Sequence, residues 1–158
     1  MRKLYFPRPI PEHYWECWDN DDGTFTVHWG ELGNEGEVKI VEGSSMRSAL
    51  SKVQELEKEC VSKGYGEIEF DDQKVLLIEF EVDGFGSPED LSKRHSLEDL
   101  MNETLGWTGL GHSDGGSIGS GTMEVCCFVV DFDLAKKVIS ERLQDTEYSD
   151  YARIYLED

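Results

Sequence analysis

Thr24-Phe25-Thr26-Val27-His28-Trp29-Gly30-Glu31-Leu32-Gly33 decides how the first half of this chain folds. Phe25, Val27 and Trp29 alternate with Thr24, Thr26 and His28, the period of a β-strand with two different faces. Gly30 and Gly33, with Gly36 beyond them, shape a tight connection. Upstream, Tyr14–Trp18 reads as a partner strand, joined through the turn-rich Asp19-Asn20-Asp21-Asp22-Gly23. Downstream, Val38–Glu42 reads as a third strand. Ser44-Ser45 then offers a helix cap. Met46, Ala49, Leu50, Val53, Leu56 and Cys60 recur at helical spacing and form one apolar stripe. Gly64 stands where a left-handed cap ends such a helix. A small antiparallel sheet crossed by one helix follows for residues 1–66, with residues 1–11 as an extended, proline-punctuated lead-in.

Residues 67–74 read as an exposed linker, and 75–158 as a second unit. Val75–Val82 and Thr122–Val130 are strand-like. Ser87-Pro88-Glu89-Asp90 has a capping serine, proline at the first helical position and acids at the positive helix end. Ser96-Leu97-Glu98-Asp99 is a rival or second start. Asp133 is placed to cap a helix carrying Leu134, Val138, Ile139 and Leu143, and Ala152–Leu156 closes the chain as a strand. With a short strand at Trp107–His112 the order becomes βαββαβ, the ferredoxin-like split. The fold class expected is α+β.

The chain has 158 residues and a formal net charge of −19. Residues 1–66 hold 8 Lys/Arg against 12 Asp/Glu, and residues 67–158 hold 7 against 22. Acidity of that size repels phosphates at long range and favours a basic partner. No apolar run is long enough to span a bilayer, and no secretion signal is visible, so a cytoplasmic setting is expected. Cys17, Cys60, Cys126 and Cys127 lack metal or redox spacing and read as free thiols.

The succession Trp29-Gly30-Glu31, a Gly-x-x-Gly connection and a long amphipathic helix ending at Lys63-Gly64-Tyr65 resembles the WGR domain over about residues 12–66. Glu31 stands where that family has arginine. The resemblance implies a small sheet with one helix. It also implies, as in poly(ADP-ribose) polymerases, that the motif tryptophan, here Trp29, contacts DNA ends and neighbouring domains. An indole can stack on a sugar or base, but a carboxylate at Glu31 repels phosphate. Lys39, His28 and Arg47 are the only nearby cations.

Gly106–Gly121 contains seven glycines in sixteen residues. It lacks the Gly-Lys-Ser/Thr ending and the cation of a phosphate loop. A turn-rich connection is expected, with Asp114-Gly115 or Gly115-Gly116 as a hairpin turn. His112-Ser113-Asp114 does not form a triad, because adjacent residues do not place base, nucleophile and acid in line. Glu79 and Glu81 share a strand face, with nothing to single them out among 34 acids. These readings converge on a non-catalytic binding protein without metal or cofactor. Its partner is expected to be another protein, basic in character, as for acidic inhibitors of toxin nucleases or adaptors. Nucleic acid is the alternative. The candidate contact residues are Trp15, Trp29, Glu31, Lys39, His112 and Asp114.

Overall fold

The computed structural model describes residues 1–158 and has an α+β fold built on two four-stranded antiparallel sheets. The first sheet is a meander of β1 (Arg2–Phe6), β2 (His13–Asp19), β3 (Phe25–Glu31) and β4 (Glu37–Val41), in that spatial order. Helix α1 (Met46–Ser62) crosses one face. Ser45 caps it by accepting a hydrogen bond from the Ser48 N–H. At its other end the Gly64 N–H reaches Val61 O and the Tyr65 N–H reaches Cys60 O, with Gly64 at φ +100°. That pairing is the Schellman arrangement, which needs a residue free to turn left-handed.

β1 corrects the expected lead-in. Pro7, Pro9 and Pro11 mark the turn after the strand and leave Arg2–Phe6 free to pair. Leu4 opposes Trp15, Tyr5 opposes Tyr14, and both Leu4 and Tyr5 are buried.

The second unit runs β5 (Lys74–Glu81), α2 (Pro88–Trp107), β6 (Gly111–Gly119), β7 (Thr122–Val129), α3 (Phe132–Leu143) and β8 (Arg153–Leu156). Its sheet order, β6-β7-β5-β8, with every pair antiparallel, is the split arrangement expected from the βαββαβ pattern. Four local expectations change. α2 is one continuous helix started by a full capping box at Ser87 and Asp90, so Ser96 begins nothing. Trp107 ends that helix, and the strand lies further on, inside the glycine-rich segment. The turn falls at Ser120-Gly121, both left-handed, while Ser113–Gly116 is a bulge. The glycines keep β6 flush with its neighbour: a side chain at Gly111 or Gly116 would run into the backbone carbonyl of Phe128 or Glu124. Asp131, not Asp133, caps α3 by accepting from the Leu134 N–H at 2.9 Å.

The expected linker is structured. Just before it, Gly66 pairs with Tyr5 through two backbone hydrogen bonds of 2.8 and 3.0 Å; within it, Ile68 packs on the core, Phe70–Asp72 forms a 3₁₀ turn, and Lys74 already belongs to β5. The two sheets also share a core. Tyr5, Tyr14 and Leu32 of the first half lie in one buried cluster with Leu105, Leu110, Ile139 and Leu143 of the second. A smaller cluster, Leu4, Trp15, Cys17, Phe25, Val27 and Val41 with Ala49 and Val53, sits under α1. No helix is long and apolar enough to cross a membrane.

Candidate functional site at the seam of the two sheets

The face of the first sheet turned away from α1 carries three cross-strand rows, fixed by register. Tyr5, Tyr14 and Gly30 form the first; Lys3, Glu16, His28 and Val38 the second; Trp18, Thr26 and Ile40 the third. Tyr5 and Tyr14 of the first row are buried, as are Glu16 and His28 of the second, whereas Val38 is exposed; in the third Thr26 is buried, Trp18 half-buried and Ile40 exposed.

Close packing explains why position 30 is a glycine. A side chain there would meet the Gly36 Cα at 2.7 Å and the Tyr14 hydroxyl at 3.2 Å. Its absence lets the 34–36 segment fold back over the sheet and turn its carbonyls inward. His28, fully buried, places Nε2 2.5 Å from Glu35 O and 3.0 Å from the Tyr14 hydroxyl. A carbonyl can only accept, so Nε2 carries the hydrogen. The Tyr14 hydroxyl then donates to Asn34 O at 2.8 Å or Trp107 O at 3.1 Å. On the other side of the ring, Nδ1 lies 2.6 Å from Glu16 Oε1, a separation that requires a hydrogen between them. Lys3 Nζ stands 3.5 Å from the other Glu16 oxygen. Burial pushes the Lys3 ammonium below its ordinary value, opposed by Glu16. Burial, then the nearby Glu16 charge, raises the Tyr5 and Tyr14 hydroxyls, with Glu35 adding to Tyr14.

The end of α2 locks onto this network. Gly109 (φ +73°) lies against the Tyr14 ring where a side chain would not fit, and its carbonyl accepts from the Tyr5 hydroxyl at 2.9 Å. The Gly33 N–H donates to Thr108 O at 2.9 Å, and Leu32 is buried. Trp107 stands over His28, ring centroids 4.9 Å apart, and meets Trp18 edge-on at 6.2 Å. It remains 40% exposed and forms a ridge between two clefts. One, of about 550 Å³, is lined by Lys3, Glu16, Trp18, Asn102 and His112. The other, of about 450 Å³, is lined by Glu35, Glu103, Thr104, Glu141 and Arg142.

Beyond Trp107 the sheet face continues as an apolar ledge. Val38 and Ile40 of β4 are 49% and 50% exposed. β4 is an open edge of its sheet, whereas at the other edge β1 is bridged at Tyr5 by Gly66. Glu35, Glu37 and Glu42 lie at or just beyond the ends of this strand, and Asp19, Asp21 and Asp22 occupy the turn at one side. All six are exposed.

The residues singled out in the sequence do not come together. Trp15 is buried beneath α1, and Trp29, its cross-strand partner, packs against the same cluster. Neither indole belongs to the seam face. Lys39 opposes Val27, on the α1 side, and Glu31 opposes His13; both are exposed. His112 rests on the Phe128 ring at 5.7 Å, and Asp114 lies in the bulge of β6. The residues the sequence reading passed over are Tyr14, Glu16, Trp107, Val38 and Ile40. The available signal was Tyr14–Trp18, where both alternating sets are large or charged, as in a strand covered on two sides.

No family model matches the chain, and no curated protein matches it. Among solved structures, a Bacteroides fragilis protein from a structural genomics consortium aligns at 24% identity over 44% of this chain, with a TM-score of 0.38. The alignment spans 20% of that protein's length.

Proposed function

We propose that this chain is a non-catalytic binding protein that recognises a basic protein partner through the β4 ledge, with its first half a WGR-like module used for protein contact. One observation carries the reading: Val38 and Ile40 lie half-exposed on an open strand edge, in the rows of His28 and Trp18 that Trp107 contacts, bordered by carboxylates. Exposed apolar side chains ringed by one sign of charge suit a partner with apolar anchors and cationic flanks. The open edge adds unpaired backbone groups that an extended segment can satisfy. Trp29 packing toward α1, with Glu31 beside it, argues for protein rather than a polyanion.

The test uses immobilised protein and its Ile40→Glu variant, with partner capture from extract at low and high salt. Ile40 is exposed, so the variant retains its fold by thermal melt. A partner held by the wild type at about 50 mM salt and released near 500 mM supports the reading. The same partner must be absent from Ile40→Glu. Capture indifferent to both changes ends it.

A further inference from the structure

The cleft on the Lys3 side of Trp107, of about 550 Å³, has the size of a small-molecule site. Two opposite charges stand side by side in its wall. Lys3 Nζ lies 3.5 Å from Glu16 Oε2, beyond the roughly 2.7–2.9 Å of a charge-assisted hydrogen bond. No other ion pair or hydrogen bond holds either atom, because His28 engages only Oε1 of the carboxylate. Lys3 keeps 19% and Glu16 7% of its side chain accessible, and neither polar atom is closed off from the cleft that both residues line. Charges taken out of water are normally paired and fully hydrogen-bonded. Here an ammonium and a carboxylate oxygen, both on largely buried side chains, keep bonding capacity turned toward open volume. Both are held in place: Lys3 opposes Glu16 across β1 and β2, and the His28 bond fixes the carboxylate from behind. Trp18 and Trp107 line the same cleft with their rings at 80°, a corner of two indoles.

A net anion would meet Glu16 and Glu69 on this wall, and a net cation would meet Lys3. A neutral group would leave both charges only partly compensated. A molecule with adjacent opposite charges gives each its complement. We infer that the cleft binds a free aromatic α-amino acid, its carboxylate on Lys3, its ammonium on Glu16 Oε2 and its ring in the Trp18–Trp107 corner. The two charges of an α-amino acid sit on one carbon, so they lie side by side like the pair in the wall. Within a peptide both are consumed in amide bonds, so only the free molecule carries them together. A planar ring in the corner lies on one indole and meets the other edge-on, the two arrangements aromatic pairs favour. The site is separate from the β4 ledge, since neither Val38 nor Ile40 lines it.

L-Phenylalanine is titrated into the full chain at about pH 6, where α-amino groups are charged, and the indole N–H signals are followed by two-dimensional NMR. Those of Trp18 and Trp107 shift to saturation, while that of Trp15, buried beneath α1, stays. N-acetyl-L-phenylalanine lacks the ammonium, and L-phenylalaninamide lacks the carboxylate. Each binds at least about tenfold more weakly, the effect of losing one charge-assisted contact. Lys3→Met weakens L-phenylalanine by a similar factor and barely changes the amide, which has no carboxylate to lose. Glu16→Gln does the converse and spares the N-acetyl compound. Glu16 belongs to the buried network, so if that variant melts early the wild-type ligand series and Lys3→Met decide. Ile40→Glu leaves L-phenylalanine binding unchanged, which keeps this test apart from that of the ledge. No shift up to about 10 mM, where a millimolar site is nearly filled, overturns the inference. Equal binding of the three compounds also overturns it, since the paired charges would then recognise nothing.

Discussion

The two faces of the first sheet are made by the same four strands and carry opposite chemistry. Toward α1, Leu4, Trp15, Cys17, Phe25, Val27 and Val41 make an apolar layer closed by Ala49 and Val53. Toward the second unit, a polar, hydrogen-bonded row of Lys3, Glu16 and His28 runs between rows containing Tyr14 and Trp18. An apolar layer stabilises by burial and tolerates small adjustments, because contact energy has no direction. A buried polar row works only when each donor and acceptor is matched, so it fixes one docking geometry of the second unit. The α1 face holds the sheet together, and the seam face decides where Trp107, and with it the ledge and both clefts, stands.

The largest effect that tests this contrast is expected at His28. His28→Ala leaves the buried Glu16 carboxylate with Lys3, 3.5 Å away, as its one remaining charge partner, a loss of about 3–5 kcal/mol by denaturant titration. Adding Glu16→Gln removes the under-compensated charge and recovers part of that loss. On the opposite face, Trp15→Ala also costs about 3–5 kcal/mol, and no second polar substitution offsets it. If Glu16→Gln recovers nothing, the seam is merely another packed layer.

Gly36 sharpens the same comparison from the backbone. It sits at φ +68° against the Trp29 carbonyl and the Tyr14 hydroxyl, whereas Gly23, at φ +87°, has nothing within 4 Å. Gly23→Ala therefore meets only the left-handed penalty, about 1 kcal/mol. Gly36→Ala adds a clash and costs about 2–3 kcal/mol. Equal losses at the two sites would mean that the 34–36 segment is not pinned to the seam.

Much of the first sheet was legible because its signals are local. The β3 alternation, the α1 stripe, the Ser45 cap and the Gly64 terminus are each set by neighbours in sequence. β1 was hidden by the prolines that follow it, and β6 by glycines that signal turns in most contexts but here serve a flush bulge. The site was least legible. Trp29 drew attention by motif, yet strand alternation sends it toward α1 with Phe25 and Val27. Trp107 reaches Trp18 and His28 from a helix some eighty residues away in sequence, and no local pattern encodes such a meeting.

Alkaline pH probes the seam through its hydroxyls. Burial raises Tyr5 and Tyr14 in the folded chain, so both stay protonated where the unfolded chain ionises. For groups shifted upward, the contribution to stability is complete below the unfolded value near 10 and is lost as pH rises beyond it. The Cys127 thiol, pushed up to about 12 by burial, acts in the same direction, while the lowered Lys3 opposes it. Tyr14→Phe isolates one term: its stability falls less steeply than the wild type's between about pH 10 and 12. Parallel curves would remove Tyr14 from the account.

A smaller effect checks which acid starts α3. Asp131→Ala costs about 1 kcal/mol, the usual loss of an N-cap. Asp133→Ala, one step inside the first turn, loses only its interaction with the helix end, about 0.3–1 kcal/mol and weaker in salt. The reverse ranking would restore the sequence expectation.

The smallest expected change in stability belongs to Ile40→Glu, and its smallness is what makes it informative. Ile40 is half-exposed on an edge strand, and a surface substitution away from the packed layers shifts stability by no more than about 0.5 kcal/mol. The same change puts a carboxylate among Glu37, Glu42 and Asp19, so it removes an apolar anchor without removing any acid. A variant that melts with the wild type yet loses the partner separates recognition from folding on this face. One that melts several degrees lower would instead make the ledge part of the core, with Ile40 holding β4 to Thr26 and Trp18.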